Sequence, residues 1–135
     1  MFEKPVEKEK ANSLMARYME TFIKPSYKPW NERYNCLELP WIYYKVDTKV
    51  LDWFIPENIN SIDLPFDRVV YCHNEREKIV YETTYREVYN LLMSLEPWDE
   101  IDVELFDDSF SWTVAFTHEM EAILFGVDLK LWEGT

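Results

Sequence analysis

A chain of 135 residues with 47% hydrophobic and 17% aromatic side chains can bury a core of its own, and a formal net charge of -12 sets it against phosphate backbones and anionic membranes as direct partners. Two cysteines, Cys36 and Cys72, are too few for a disulfide framework or a zinc ligand set, and two glycines, Gly126 and Gly134, exclude every glycine-rich phosphate loop. With no apolar run of membrane length and no signal-type N-terminus, the expectation is a single cytoplasmic domain over residues 1–135.

The first helix is expected at about residues 7–24. Leu14, Tyr18 and Phe22 recur every fourth residue beside Ala11, Met15, Met19 and Ile23, which makes one broad apolar stripe that must pack on the rest of the chain. Pro25 and Pro29 end the helix and begin an extended connector. Its basic residues Lys8, Lys10, Arg17 and Lys24 are placed to cover part of an otherwise acidic body. Short strands are expected between 37 and 81. Leu37, Leu39, Trp41 and Tyr43 alternate like an edge strand interrupted at Pro40, and 50–55 reads as a short strand or one helical turn closed by Pro56. Arg68 to Cys72 and Lys78 to Tyr81 form a hairpin around Asn74-Glu75-Arg76-Glu77.

Thr83 or Thr84 caps a second helix at about 84–95, with Glu87 in capping-box spacing from Thr84. Tyr85, Val88, Tyr89, Leu92 and Leu95 share its apolar face, and Pro97 ends it. Residues 101–131 read as a C-terminal β-meander. Ile101, Val103 and Leu105 alternate with Asp102, Glu104 and Phe106; after a turn at Asp107-Asp108-Ser109, Phe110, Trp112, Val114 and Phe116 alternate with Ser111, Thr113, Ala115 and Thr117; a last strand runs from Ala122 to Leu131. The expected fold is α+β: an antiparallel sheet of about five strands, two helices packed on its one apolar face, and a polar face opposite.

Charge is uneven along this framework. From Glu87 to Leu129 there are 43 residues without a lysine or arginine and with eleven acids, interleaved with Trp98 and Trp112 and followed by Trp132. A folded acidic and aromatic surface fits a basic protein partner, since complementary charge speeds and orients docking while aromatic anchors supply affinity. The candidate partner-binding residues are Trp98, Asp99, Glu100, Asp102, Glu104, Asp107 and Asp108. Three other readings stand beside it. His73, His118, Glu119 and Glu121 are candidate metal ligands, because imidazole and carboxylate suit zinc or iron, although Ala122 occupies the place where a zincin helix needs its second histidine. Trp30, Tyr34, Trp41, Tyr43, Tyr44 and Trp53 could form a ligand slot or simply core. Asp102 and Glu104, two apart on one strand, could raise each other's proton affinity in a cleft. No catalytic residue and no cofactor motif is assigned: Ser109, Ser111, Cys36 and Cys72 lack the elbow or cation-rich setting of a nucleophile.

In size, acidity and lack of a catalytic signature the chain resembles bacterial immunity proteins and phage-encoded inhibitors that block nucleases or other basic effectors. The resemblance is one of general character and carries no motif. It implies a small inhibitory interaction protein and no particular site residue.

Overall fold

The computed structural model describes residues 2–130. Helix α1 (Lys8–Phe22) follows from the four-residue apolar spacing, with Leu14, Tyr18 and Phe22 buried. A two-stranded ribbon comes next, β1 (Trp30–Asn31) paired with β2 (Cys36–Leu37), and then a single 3-10 turn at Pro40–Tyr43. The edge strand expected through residue 43 therefore stops at Leu37: Pro40 opens the turn, where its fixed φ suits the first position and its missing N–H costs nothing. Strand β3 (Lys49–Asp52) is followed by a short helix, α2 (Pro56–Asn60), begun by Pro56 for the same reason.

Strands β4 (Val69–Asn74) and β5 (Ile79–Thr84) form the expected hairpin. Helix α3 (Tyr85–Ser94) starts at Thr84, whose hydroxyl accepts a hydrogen bond from the Glu87 amide at 3.4 Å, while the Thr83 hydroxyl donates to the Glu87 carboxylate. Strands β6 (Val103–Phe106), β7 (Thr113–Phe116) and β8 (Glu121–Phe125) are the C-terminal meander. Leu131, the expected end of the last strand, and Trp132 lie outside the described residues. Gly126, at φ +72, turns the chain after β8 so tightly that a Cβ there would meet the Ser111 carbonyl oxygen at 2.6 Å.

The six long strands pair antiparallel in the order β3-β8-β7-β6-β4-β5. The α+β class and the meander agree with the sequence, and the sheet has one strand more than expected. The helices, however, do not share a face. Tyr85, Val88 and Leu92 of α3 pack with Cys72, Val103, Leu105, Val114 and Phe116. Leu14, Tyr18 and Phe22 of α1 pack with Tyr71, Phe106, Ala115 and Ile123, which are the alternate positions of the same strands. Both faces of the sheet are thus covered, and every residue of β6 and β7 is buried.

A hydrogen-bonded chain ties α1 to the sheet. The Thr113 hydroxyl donates to the Leu105 carbonyl at 2.8 Å, so the Tyr18 hydroxyl must donate to Thr113 at 2.9 Å and accept from Tyr44 at 2.7 Å. Among the described residues no helix is long and apolar enough to cross a membrane.

Candidate functional site

The turn between β4 and β5 creates the site. Asn74 Oδ1 accepts from the Arg76 and Glu77 amides at 2.9 and 3.1 Å, and the Lys78 amide donates to the Asn74 carbonyl at 2.8 Å with Lys78 at φ 58. Asparagine holds turns in this way through its own side chain. The turn folds Glu75 back along the start of β6, where its amide donates to the Asp102 carbonyl at 2.9 Å. His73 stands directly opposite Glu104 in the β4–β6 register. Three buried side chains from two strands and one turn thereby meet: His73 Nδ1 lies 2.7 Å from Glu104 Oε2 and 3.5 Å from Glu75 Oε1.

Glu104 is fully buried, and its second oxygen, Oε1, has no hydrogen-bond donor. Burial, and then the neighbouring Glu75 carboxylate, push its proton affinity well above the carboxylate range. His73 moves the other way: burial lowers its pKa and favours the neutral ring, against the pull of Glu75. Neutral imidazole has one N–H, and the Nδ1 contact with Glu104 fixes the ring's orientation whichever of the two groups carries the shared proton. The nearest compensating cation is Lys78, 3.0 Å from Glu75 Oε2, but its side chain is 71% exposed and its charge is largely spent on water. The floor is therefore short of positive charge.

Above it lies a partly open cavity of about 610 Å³. Met15 and Met19 of α1 form one wall; Tyr27, Pro29, Leu37 and Leu39, from the segment after α1, and Pro40, the first residue of the 3-10 turn, form another; His73, Glu75, Asp102, Arg76 and Lys78 close the sheet end. Burial raises the Tyr27 hydroxyl to about 12. Glu38 stands on the wall and is held below its ordinary value by hydrogen bonds from Tyr43 and then Asn31. An apolar slot with convergent polar groups at its base is the ordinary form of a ligand site.

A second polar cluster adjoins the first. Asp102 accepts from His118 Nδ1 at 2.8 Å, from the His118 amide at 3.0 Å and from Arg76 Nε at 2.9 Å. Arg76 also reaches Glu100 at 2.9 Å, which links the cavity to the exposed loop carrying Trp98 and Asp99.

These positions revise the sequence candidates. The contiguous acidic face is absent: Asp102 and Glu104 are 3% and 0% exposed, because the strand face expected to meet water is covered by α1. Asp107 and Asp108 stand beyond the opposite end of β6 from Asp99 and Glu100. Asp107 is bound to Arg68 at 3.2 Å, and Asp108 lies near Lys10 and Tyr71. Trp98, Asp99 and Glu100 remain exposed. The candidate metal set also divides, since His73 joins Glu75 and Glu104 whereas His118 joins Asp102. Glu121, raised by burial and then by its neighbour Glu119, stays apart from both histidine contacts. The aromatic group does not form one slot: Trp41 and Tyr44 belong to the α1 side of the core, Trp53 to the α3 side, and Trp30 and Tyr34 are exposed.

The residue that sequence reasoning missed is Glu75. In the sequence it belongs to a polar turn, yet it follows His73 by two positions, which is the spacing that sets side chains on one side of a strand. No protein-family model, no curated protein and no solved structure matches the chain.

Proposed function

We propose that this chain is a non-catalytic binding protein whose cavity at the His73 end of the sheet receives a positively charged group. The observation that carries the reading is Glu104, a wholly buried side chain with one oxygen lacking a donor, in contact with His73, which together with the buried Glu75 lines the base of an apolar-walled cavity. A buried acceptor left unmatched costs about 1–3 kcal/mol, and more when charged; a cation that passes from the cavity between His73 and Glu75 to reach Glu104 removes that cost. The Met15 and Met19 thioethers adapt to the stem of an aliphatic amine or a basic side chain. The net charge of -12 raises the local concentration of such ligands. Calorimetric titration of the full chain with butylamine, butylguanidinium and divalent metal chlorides tests it. Saturable binding of one of these cations per chain, weakened at least about tenfold in Glu75→Gln, is the expected result; no saturable binding of any of them refutes the reading.

One observation favours a basic protein partner as the source of that charge. Trp98 is 77% exposed on a loop that also displays Glu96, Asp99 and Glu100. An exposed tryptophan among carboxylates is suited to anchor a basic surface, as an inhibitor or immunity-type protein requires. Poly-lysine should quench or shift the Trp98 emission in low salt, and Trp98→Ala should remove that change. An unaltered response in Trp98→Ala would exclude this loop as the docking element.

A further inference from the structure

We infer that His73, Glu75 and Glu104 form a binding site for one divalent transition-metal ion at the floor of the cavity. The inference rests on the cation-binding reading and names the cation. Each of the three side chains offers one ligand atom, and these atoms all lie within 4.8 Å of one another. Metal bonds of about 2.0–2.2 Å to nitrogen and oxygen set neighbouring ligands about 2.9–3.5 Å apart. The two distances from His73 Nδ1, 2.7 Å to Glu104 and 3.5 Å to Glu75, already fall close to that spacing. An ion there needs small side-chain shifts and no movement of the strands.

The donor set decides the class of ion. Two carboxylates alone would serve magnesium or calcium as well, but an imidazole nitrogen selects zinc, cobalt, iron or nickel over the hard cations. Two carboxylates also balance a divalent charge, which an ammonium group does only by half. The Glu104 Oε1, which accepts no hydrogen bond, is independent of this spacing argument and points the same way, since once any proton on it is displaced it is a fully buried acceptor open to an ion. On metal binding the neutral His73 carries its proton on Nε2 and leaves the Nδ1 lone pair for the metal; any carboxyl proton passes to solvent. Lys78 on Glu75 Oε2 is the outer partner that orients one ligand. His73 and Glu75 line the cavity, so the coordination positions that three protein ligands leave open can be reached from it by water or a ligand's donor atom.

The test uses the full chain, stripped with EDTA and dialysed, then titrated separately with zinc, cobalt, magnesium and butylamine. One zinc or cobalt ion per chain is expected, with visible d–d absorption from bound cobalt and magnesium binding weaker by at least about tenfold. Glu104→Gln and Glu75→Gln should each weaken zinc binding at least about tenfold, the lower end of what loss of an outer partner alone causes. His73→Ala should abolish the cobalt bands, whereas His118→Ala should leave them unchanged. Circular dichroism monitors folding, and Glu75→Gln, at the rim, keeps the test decisive should Glu104→Gln not fold. Zinc binding that survives His73→Ala and Glu75→Gln, or that disappears with His118→Ala, overturns the inference. Butylamine binding without metal binding overturns it too while the cation pocket stands, and binding of neither removes both.

Discussion

Replacing Glu104 by glutamine gives the most direct measure of the electrostatics at the cavity floor. The side chain keeps its shape: the glutamine oxygen accepts from His73 Nδ1, and its nitrogen takes the place of the unmatched Oε1 and can donate to Glu75. It therefore copies protonated Glu104 at every pH. In the wild-type protein, burial and then Glu75 raise the folded-state pKa above the ordinary 4.5. The folded state holds this proton more tightly than the unfolded chain, so its contribution to stability is complete below pH 4.5 and is lost as pH rises towards the folded pKa. The loss proceeds at up to about 1.4 kcal/mol per pH unit for one proton. Urea unfolding of both proteins in chelator, at half-unit steps from pH 4.5 to 7.5, should show similar stabilities at the acid end. Glu104→Gln should then gain on the wild type by as much as about 2.7 kcal/mol over the next two units. Titration of His73 is carried by both proteins. Parallel stability curves, or a Glu104→Gln protein weaker by a constant amount at every pH, would show that the floor carries no excess negative charge, and the reasoning would fail.

Tyr18→Phe removes the hydroxyl between Thr113 and Tyr44 and strands the buried Tyr44 hydroxyl, so it should cost about 1–3 kcal/mol and lower the melting temperature by several degrees; calorimetry checks it, and an unchanged Tm would mean the chain of hydroxyls is idle. Gly126→Ala meets both the positive φ and the Ser111 carbonyl, so a loss of at least about 2 kcal/mol is expected in denaturant melts, and a loss below about 0.5 kcal/mol would show that the turn relaxes freely. A thiol-reactive chromophore should label exposed Cys36 at once and Cys72 only after unfolding, because Cys72 is wholly buried and its thiol is pushed up by burial. Two fast phases of equal rate would contradict that burial.

What the sequence disclosed was local. The Thr84 cap with Glu87, the Asn74 turn and the four-residue apolar spacing of α1 each lie within a few residues of their partners, and each formed where expected. The errors arose where the chain's long-range arrangement decides. Alternation along Ile101 to Phe106 distinguishes two faces but does not say which of them meets water, and two amphipathic helices cover both. Alternation alone therefore leaves Asp102 and Glu104 on a solvated face, whereas the structure encloses them. Their partners are remote in sequence: Glu104 meets His73, 31 residues away, and Asp102 meets His118, 16 away. Prolines misled differently, because Pro40 and Pro56 begin helical turns at sites where a strand was expected to be broken or closed.

Helix α1 sends Leu14, Tyr18 and Phe22 inward while Met15 and Met19, each one residue further on, border the cavity. Structural element and receptor wall are thus the same helix of about four turns, and neither can drift without the other. A substitution that slackens the seam under this helix must also change the fit of whatever occupies the slot. Substitutions along this seam will then change capture and stability together, and heat or urea will erode recognition in step with the fold.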